Sequence, residues 1–125
     1  MKVKELIGKL NEKQKKTVMR CMERCDLINP EDEVDISLDK NLGRFLKLIG
    51  NPIRFQILKM LRDRELCVCL ISQALEQDQT LISHHLRTLK ELNLVTEKRE
   101  GKLKFYRANT EEIRKYLEIL GNEII

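Results

Sequence analysis

The feature that most constrains the fold is a change of hydrophobic period close to Asn93. Before this residue, apolar side chains recur at three- and four-residue intervals, which predicts amphipathic helices. After it, the segments LVTEKRE and LKFYRA alternate apolar and polar residues on either side of Gly101, which predicts a β-hairpin. Short helices followed by a hairpin predict a mainly α fold with a β-hairpin wing, the winged helix-turn-helix.

Capping and helix-breaking residues delimit the first helices of this unit. From about residue 38 the apolar positions are helical and stop at Gly50. Asn51 and Pro52 have the residue types of an N-cap and a first-turn proline, and the helix that they open is expected to reach about Asp63.

The helix-turn-helix itself is predicted from the next two segments. A short helix, roughly Cys67 to Leu75, is followed by the polar break EQDQ. The second helix, TLISHHLRTLKELN, is expected to be capped by Thr80 or by the residue before it, and to bury Ile82, Leu86 and Leu89. After the hairpin, Thr110 is expected to cap a last amphipathic helix.

The first 37 residues have a different character. Apolar residues across 3–25 recur at helical spacing, which predicts one amphipathic helix. Pro30 and a run of acidic residues then predict a linker near 29–37. The expected organisation is therefore a helical extension with an acidic linker over 1–37, and a winged helix-turn-helix domain with a C-terminal helix over 38–125.

The distribution of charge favours a polyanionic partner for the central segment. Residues 1–41 carry nine basic and nine acidic side chains, whereas residues 42–110 carry thirteen basic and seven acidic ones. Nothing in the sequence resembles a glycine-rich phosphate loop, an HExxH helix or a nucleophile with its base, so neither an enzyme nor an organic cofactor is expected. The interleaved charges of the first residues are unlike those of a signal peptide, and a cytoplasmic location is expected.

The second helix of the predicted motif and the wing carry the candidate DNA contacts. In such a motif this helix presents its outward side chains to base edges in the major groove, and Arg87 can bond guanine with two donors. The wing is suited to phosphates. The alternative is an ordinary amphipathic surface helix. The candidate DNA-binding residues are Gln79, Thr80, Ser83, His84 and Arg87 on the helix, and Lys98, Arg99, Lys102 and Lys104 on the wing.

Four cysteines in two pairs are candidate metal ligands. Cys21 and Cys25 are four residues apart and share one helix face. Cys67 and Cys69 are two apart and diverge on a regular helix, so they converge only if Cys67 precedes or begins it. Four thiolates would form a soft tetrahedral set suited to Cd(II), Pb(II) or Zn(II). The alternatives are that the cysteines are small buried residues, or that they are oxidised.

The segment from about 42 to 120 resembles the ArsR/SmtB family of winged-helix repressors, through ELCVC, SHHLRTL and the wing EGKLKFY. The resemblance implies a homodimer that pairs through its N- and C-terminal helices. It also implies repression at a pseudo-palindromic site on double-stranded DNA until a ligand, often a metal ion, releases the protein.

Within that family the cysteines are most similar to those of the CadC-type subgroup, which responds to cadmium, lead and zinc. This similarity implies that Cys21 and Cys25 of one protomer join Cys67 and Cys69 of the other. Ser72 stands where arsenic-responsive members often carry a third cysteine, which argues against their arsenite site.

Three hypotheses for the function follow. The first is a dimeric repressor that a soft metal ion releases from DNA. The second is a DNA-binding regulator without a metal response, either constitutive or controlled by thiol oxidation. The third is a winged-helix module that binds another protein, for which DNA affinity would be weak and lost at physiological salt.

Overall fold

A computed structural model describes residues 1–24 and 28–125, which form two compact units, Met1–Ser37 and Leu38–Ile125. The described residues of the first unit contain two helices, α1 (Val3–Gly8) and α2 (Glu12–Arg24), so the expectation of one continuous helix over 3–25 is wrong. Asn11 is the reason for the break. Its side chain accepts a hydrogen bond from the Gln14 amide at 2.8 Å, and the Gln14 side chain accepts one from the Asn11 amide at 3.3 Å. This reciprocal cap starts a new helix.

The acidic segment after α2 folds back on the start of the chain instead of forming an open linker. The Val3 amide donates to the Asp32 carbonyl at 3.0 Å, and the Val34 amide donates to the Met1 carbonyl at 2.9 Å. Glu31 accepts from the ammonium groups of Lys2 and Lys4 at 2.8 and 3.0 Å. The charges of this segment are therefore used in part to hold the N-terminus.

The second unit has the predicted order of helices and a hairpin, and the expected winged helix-turn-helix is confirmed. Its three strands, β1 (Leu66–Cys67), β2 (Val95–Glu100) and β3 (Leu103–Ala108), form one antiparallel sheet in the order β1–β3–β2, and Gly101 is in the left-handed region (φ 59°) at the hairpin turn. The strand β1 is a feature that the sequence analysis missed. The elements are α3 (Lys40–Ile49), α4 (Pro52–Met60), β1 (Leu66–Cys67), α5 (Val68–Leu75), α6 (Gln79–Glu91), β2 (Val95–Glu100), β3 (Leu103–Ala108) and α7 (Thr110–Ile124).

Side-chain caps set the starts of four of the five helices in this unit, α5 being the exception. Asn51 caps α4 as expected, with its side chain accepting from the amides of Ile53 and Arg54. The expected caps of α6 and α7 are wrong. Asp78 accepts from the Thr80 amide at 3.0 Å and Asn109 from the Glu112 amide at 3.3 Å, since the side chains of Asp and Asn reach the exposed first-turn amides.

The core lies where α3, α4, α5, α6 and α7 meet the sheet. Phe45 is fully buried and stacks on Tyr116, with ring centroids 4.7 Å apart. Phe55 and Leu117, which the periodicity places on apolar faces, are instead 53% and 51% exposed. The fully buried side chains are Phe45, Ile57, Leu61, Ile71, Ile82, Leu86, Leu89 and Leu94.

Candidate DNA-binding cavity and thiol sites

Helix α6 divides its side chains between the core and the surface. Ile82, Leu86 and Leu89 are fully buried, so the opposite side of the helix is available to a partner. None of the side chains proposed to contact bases is buried. Gln79, Thr80, His84 and Arg87 are exposed, and Ser83 is half-buried.

A cavity of about 520 Å³ lies between α6 and the hairpin. The N-terminal end of α5 also lines the cavity, through its N-cap Cys67 and through Val68 and Cys69. Helix α6 contributes Gln79, Ser83 and Arg87, and the hairpin contributes Arg99, Lys102 and Lys104. The structure thus brings six of the nine proposed DNA contacts around one space.

The cavity is electropositive although it contains a carboxylate. The Lys90 ammonium contacts the Glu97 carboxylate, and this hydrogen bond is the main reason that the pKa of Glu97 lies below its usual value. Burial, followed by the charge of Glu97, raises the pKa of the Tyr106 phenol in the same wall. Five cations line the cavity with the single Glu97, so a net positive charge remains for an anionic ligand.

Lys98 is the proposed wing residue that the structure directs elsewhere. Side chains alternate along a strand, so Lys98 lies on the opposite face of β2 from Arg99. Its ammonium contacts the Glu100 carboxylate at 3.2 Å. Because Glu100 compensates this charge, Lys98 is the weakest candidate for a phosphate contact among the four proposed on the wing.

Arg54 ties α6 to the end of α3, and the sequence analysis missed this role. Its guanidinium donates to the carbonyls of Leu48 at 2.7 Å and Lys47 at 3.2 Å, which lie in the last turn of α3. It also approaches His85 Nδ1 at 3.3 Å. Burial, then the charge of Arg54, lowers the pKa of His85, so this ring is neutral and accepts the hydrogen bond.

The turn between α5 and α6 is built without glycine. Glu76 ends α5 in the left-handed conformation (φ 52°, ψ 44°), which usually favours glycine. Ser72 is buried, and its hydroxyl donates to the Gln77 carbonyl while the Gln77 amide donates back to the Ser72 carbonyl at 3.1 Å. Ser72 therefore has a structural role at the position where the resemblance places a third cysteine.

The thiols of Cys67 and Cys69 have different environments. Cys67 ends β1, where it pairs with Phe105, and it is the N-cap of α5 with extended backbone angles (φ −87°, ψ 165°). It is 6% exposed, whereas Cys69, the second residue of α5, is exposed. Because Cys67 lies outside the regular helix, its side chain is not forced away from that of Cys69, as the side chains of residues two apart within a helix are. Both cysteines line the same cavity.

The other pair belongs to the first unit. Cys21 is half-buried on α2, and Cys25 lies outside the described residues. Within residues 1–24 and 28–125, no three His, Cys, Asp or Glu side chains are grouped as a metal would require. The donor chemistry of Cys67 and Cys69 would suit two positions of a soft-metal site, and no third ligand is grouped with them in the described part of the chain.

This fold and cavity define a class of protein: winged-helix, DNA-binding transcriptional regulators. In the described part of the chain no helix is long and apolar enough to cross a membrane. The profile for "Bacterial regulatory protein, arsR family" matches residues 51–97.

Individual relatives agree with the profile. An uncharacterised HTH-type transcriptional regulator of Methanocaldococcus jannaschii is 35% identical, over 62% of this chain and 89% of the relative. The arsenical resistance operon repressor of Staphylococcus xylosus is 35% identical, over 58% and 69%. A homolog of the cadmium resistance regulatory protein CadC from Staphylococcus aureus is 32% identical, over 62% and 65%.

Solved structures share the fold. Reduced HlyU from Vibrio cholerae has a TM-score of 0.55 at 35% identity, over 67% of this chain and 88% of that one. A homodimeric winged helix-turn-helix DNA-binding domain from Mycobacterium bovis, a possible ArsR-family regulator, has a TM-score of 0.56 at 27% identity, over 74% and 94%. The chain belongs to the ArsR family of transcriptional regulators, and its relatives and fold are those of DNA-binding regulators rather than enzymes.

Proposed function

We propose that this protein is a homodimeric repressor that binds a pseudo-palindromic operator and is released by a soft metal ion. The observation that carries the DNA-binding part is the cavity, where the exposed side of α6 and three hairpin cations meet. Arg87 would read guanine, and Gln79, Thr80, Ser83 and His84 would read neighbouring bases. Arg99, Lys102 and Lys104, with Lys98 at the margin, would bind phosphates. Two-fold symmetry of the protein would set the symmetry of the operator.

The metal would be Cd(II), Pb(II) or Zn(II), held by Cys21 and Cys25 of one protomer and by Cys67 and Cys69 of its partner. The placement of Cys67 and Cys69 on one cavity supports this set, as does the likeness to a CadC homolog. When bound, the ion would supply a tetrahedral centre that links the thiolates. Release requires only that the thiolates bind the ion more tightly in the DNA-free form, and a coupling of about 1–3 kcal/mol is typical. The cytoplasm, which keeps thiols reduced, suits such a site.

Fluorescence anisotropy of a duplex from the upstream region of the gene tests both parts. The reduced protein at near-physiological salt should bind this duplex far more tightly than an unrelated one. Stepwise addition of Cd(II) should abolish this binding at about one equivalent per protomer. Replacing all four cysteines by serine should leave DNA binding intact and remove the response. Equal affinity for the unrelated duplex would contradict the repressor.

A DNA-binding regulator without a metal response is the second candidate. It is favoured by the burial of Cys67 at the junction of β1 and α5, where a small apolar residue also fits. Tight, specific binding that is indifferent to Cd(II), Pb(II) and Zn(II) would select this candidate. Sensitivity to an oxidant in the same assay would then separate a redox regulator from a constitutive one.

A further inference from the structure

The cavity joins two functions that the sequence keeps in separate motifs. Gln79, Ser83 and Arg87 of α6 are proposed to read DNA, and they line the same space as the exposed thiol of Cys69. A ligand on that thiol would therefore occupy the surface that DNA requires. This observation does not depend on how two protomers are arranged.

Both cysteines line this cavity, and the backbone explains why Cys69 is exposed whereas Cys67 is buried. Cys67 is committed to β1 and is 6% exposed, so its sulfur is largely shielded. Cys69 is in the first turn of α5 and is exposed, and it lines the cavity together with Gln79, the first residue of α6. The thiol at this position is thus exposed at the start of one helix of the motif and beside the start of the other.

The charges make the overlap consequential. Arg87, Arg99, Lys102 and Lys104 share the cavity with Cys69, while Lys90 is engaged by Glu97. Phosphates of a bound duplex would neutralise the three hairpin cations, and an anionic group on Cys69 would neutralise part of the same positive charge. The two ligands would compete through space and through charge.

We propose that Cys69 lies inside the DNA footprint, so that a group bound to its thiol excludes DNA directly. This inference rests on the proposed function only for the location of the DNA. It differs in mechanism from release through a changed dimer geometry, because competition needs no rearrangement. By linkage, bound DNA must weaken the binding of any such group to the same degree.

Alkylation measures the overlap without a metal. In the full-length Cys21→Ser, Cys25→Ser variant, iodoacetamide labelling of Cys69 is followed by peptide mass spectrometry, with and without saturating operator duplex. We expect bound DNA to slow labelling at least about tenfold. If Cys69 reacts only while the protein is free of DNA, its labelling rate is proportional to the fraction of protein that is unbound. Raising the salt until the duplex dissociates should restore the original rate, and N-acetylcysteine in the same tube controls for consumption of the reagent.

Two adducts of similar size then distinguish the effect of charge on operator binding from the effect of size. Iodoacetamide leaves a neutral carbamoylmethyl group on Cys69, and iodoacetate leaves a carboxymethyl group with one negative charge. The charged adduct should weaken operator binding about fivefold more than the neutral one, as expected for one added charge near phosphates. The Cys69→Ser variant, treated with iodoacetate, should retain the affinity of the untreated protein.

The outcomes distinguish this inference from the proposed function. If the unmodified protein fails to bind its operator specifically, the proposed function is wrong and the inference falls with it. If it binds specifically but Cys69 reacts equally fast with and without DNA, the inference alone is overturned. If DNA protects Cys69 but the two adducts bind the operator with equal affinity, the competition is steric only, and the electrostatic part of the inference is overturned.

Discussion

The two units of this chain are stabilised by different forces. Among the described residues of Met1–Ser37 none is buried, and the unit is held by backbone hydrogen bonds and by exposed ion pairs such as those of Glu31. The unit Leu38–Ile125 has a continuous core that includes eight fully buried large side chains. A segment as short as the first cannot bury enough apolar surface for independent stability. The contrast teaches that, among the described residues, only the second unit is organised around a buried core.

The largest effect should come from the core of the second unit. Phe45→Ala removes a fully buried ring that stacks on Tyr116, and it should cost about 3–5 kcal/mol of unfolding free energy, measured by urea denaturation. Phe55→Ala is the matched control, because that ring is 53% exposed, and it should cost much less. Similar losses for the two variants would contradict the assigned core.

The next effect concerns the fixation of α6. Arg54→Ala leaves the carbonyls of Leu48 and Lys47 without this donor and should cost about 1–3 kcal/mol. Arg62→Ala removes a side chain that is 71% exposed and pairs with Asp63 at the surface, so its cost should stay within about 0.5 kcal/mol. If the two variants have the same urea midpoint, Arg54 does not hold α6 against α3.

A smaller effect of opposite sign is expected in the turn of the motif. Glu76→Gly removes the strain of a left-handed residue and should stabilise the second unit by about 1 kcal/mol. Gln56→Gly, in the middle of α4, should destabilise it by about the same amount. A lower melting temperature for Glu76→Gly would contradict the observed geometry.

The smallest effect should be in the first unit, where it concerns local opening. Hydrogen bonds from Lys2 and Lys4 lower the pKa of Glu31. A carboxyl with a lowered pKa in the folded state stabilises that state above its ordinary value near 4.5, and this contribution is lost as the pH falls through the folded value. Glu31→Gln should therefore speed hydrogen exchange at the Val3 and Lys4 amides at neutral pH, and the difference from wild type should shrink on acidification.

Glu23→Gln on α2 is the control for that measurement, since Glu23 is exposed and has no part in the pairing with the N-terminus. Exchange that is unchanged in Glu31→Gln would mean that the backbone hydrogen bonds alone hold this segment. Either result refines the contrast between a unit held at its surface and one held by its core.

Much of the second unit follows from local chemistry. Asn51 and Pro52 begin α4, Gly101 lies at the hairpin turn, and Ile82, Leu86 and Leu89 are buried, as their spacing predicts. These predictions succeed because caps, turns and amphipathic faces depend on neighbours within a few residues. The helix starts at Asp78 and Asn109 were missed by one or two positions, because Asp, Asn and Thr are all plausible caps.

Other features depend on residues far apart in the chain. The pairing of Val3 and Val34 with Asp32 and Met1 converts an apparent linker into a folded segment, and no short-range signal in the acidic run indicates it. The strand β1 exists only because Cys67 meets Phe105 of the hairpin, so LCVC alone reads as the start of a helix. The pair Lys90–Glu97 likewise crosses from helix to strand.

The sequence by itself determined the family, the order of the helices and the hairpin in the second unit, and the residue types of two candidate sites. The tertiary structure decided that residues of both candidate sites line one cavity. Residue spacing could suggest that Cys67 and Cys69 converge, but only the packing of α5 against α6 and the pairing of β1 with β3 put them on the cavity of Arg87 and Lys104. The physical reason is that periodicity is a property of neighbouring residues, whereas a cavity is formed by elements that meet only when the core closes.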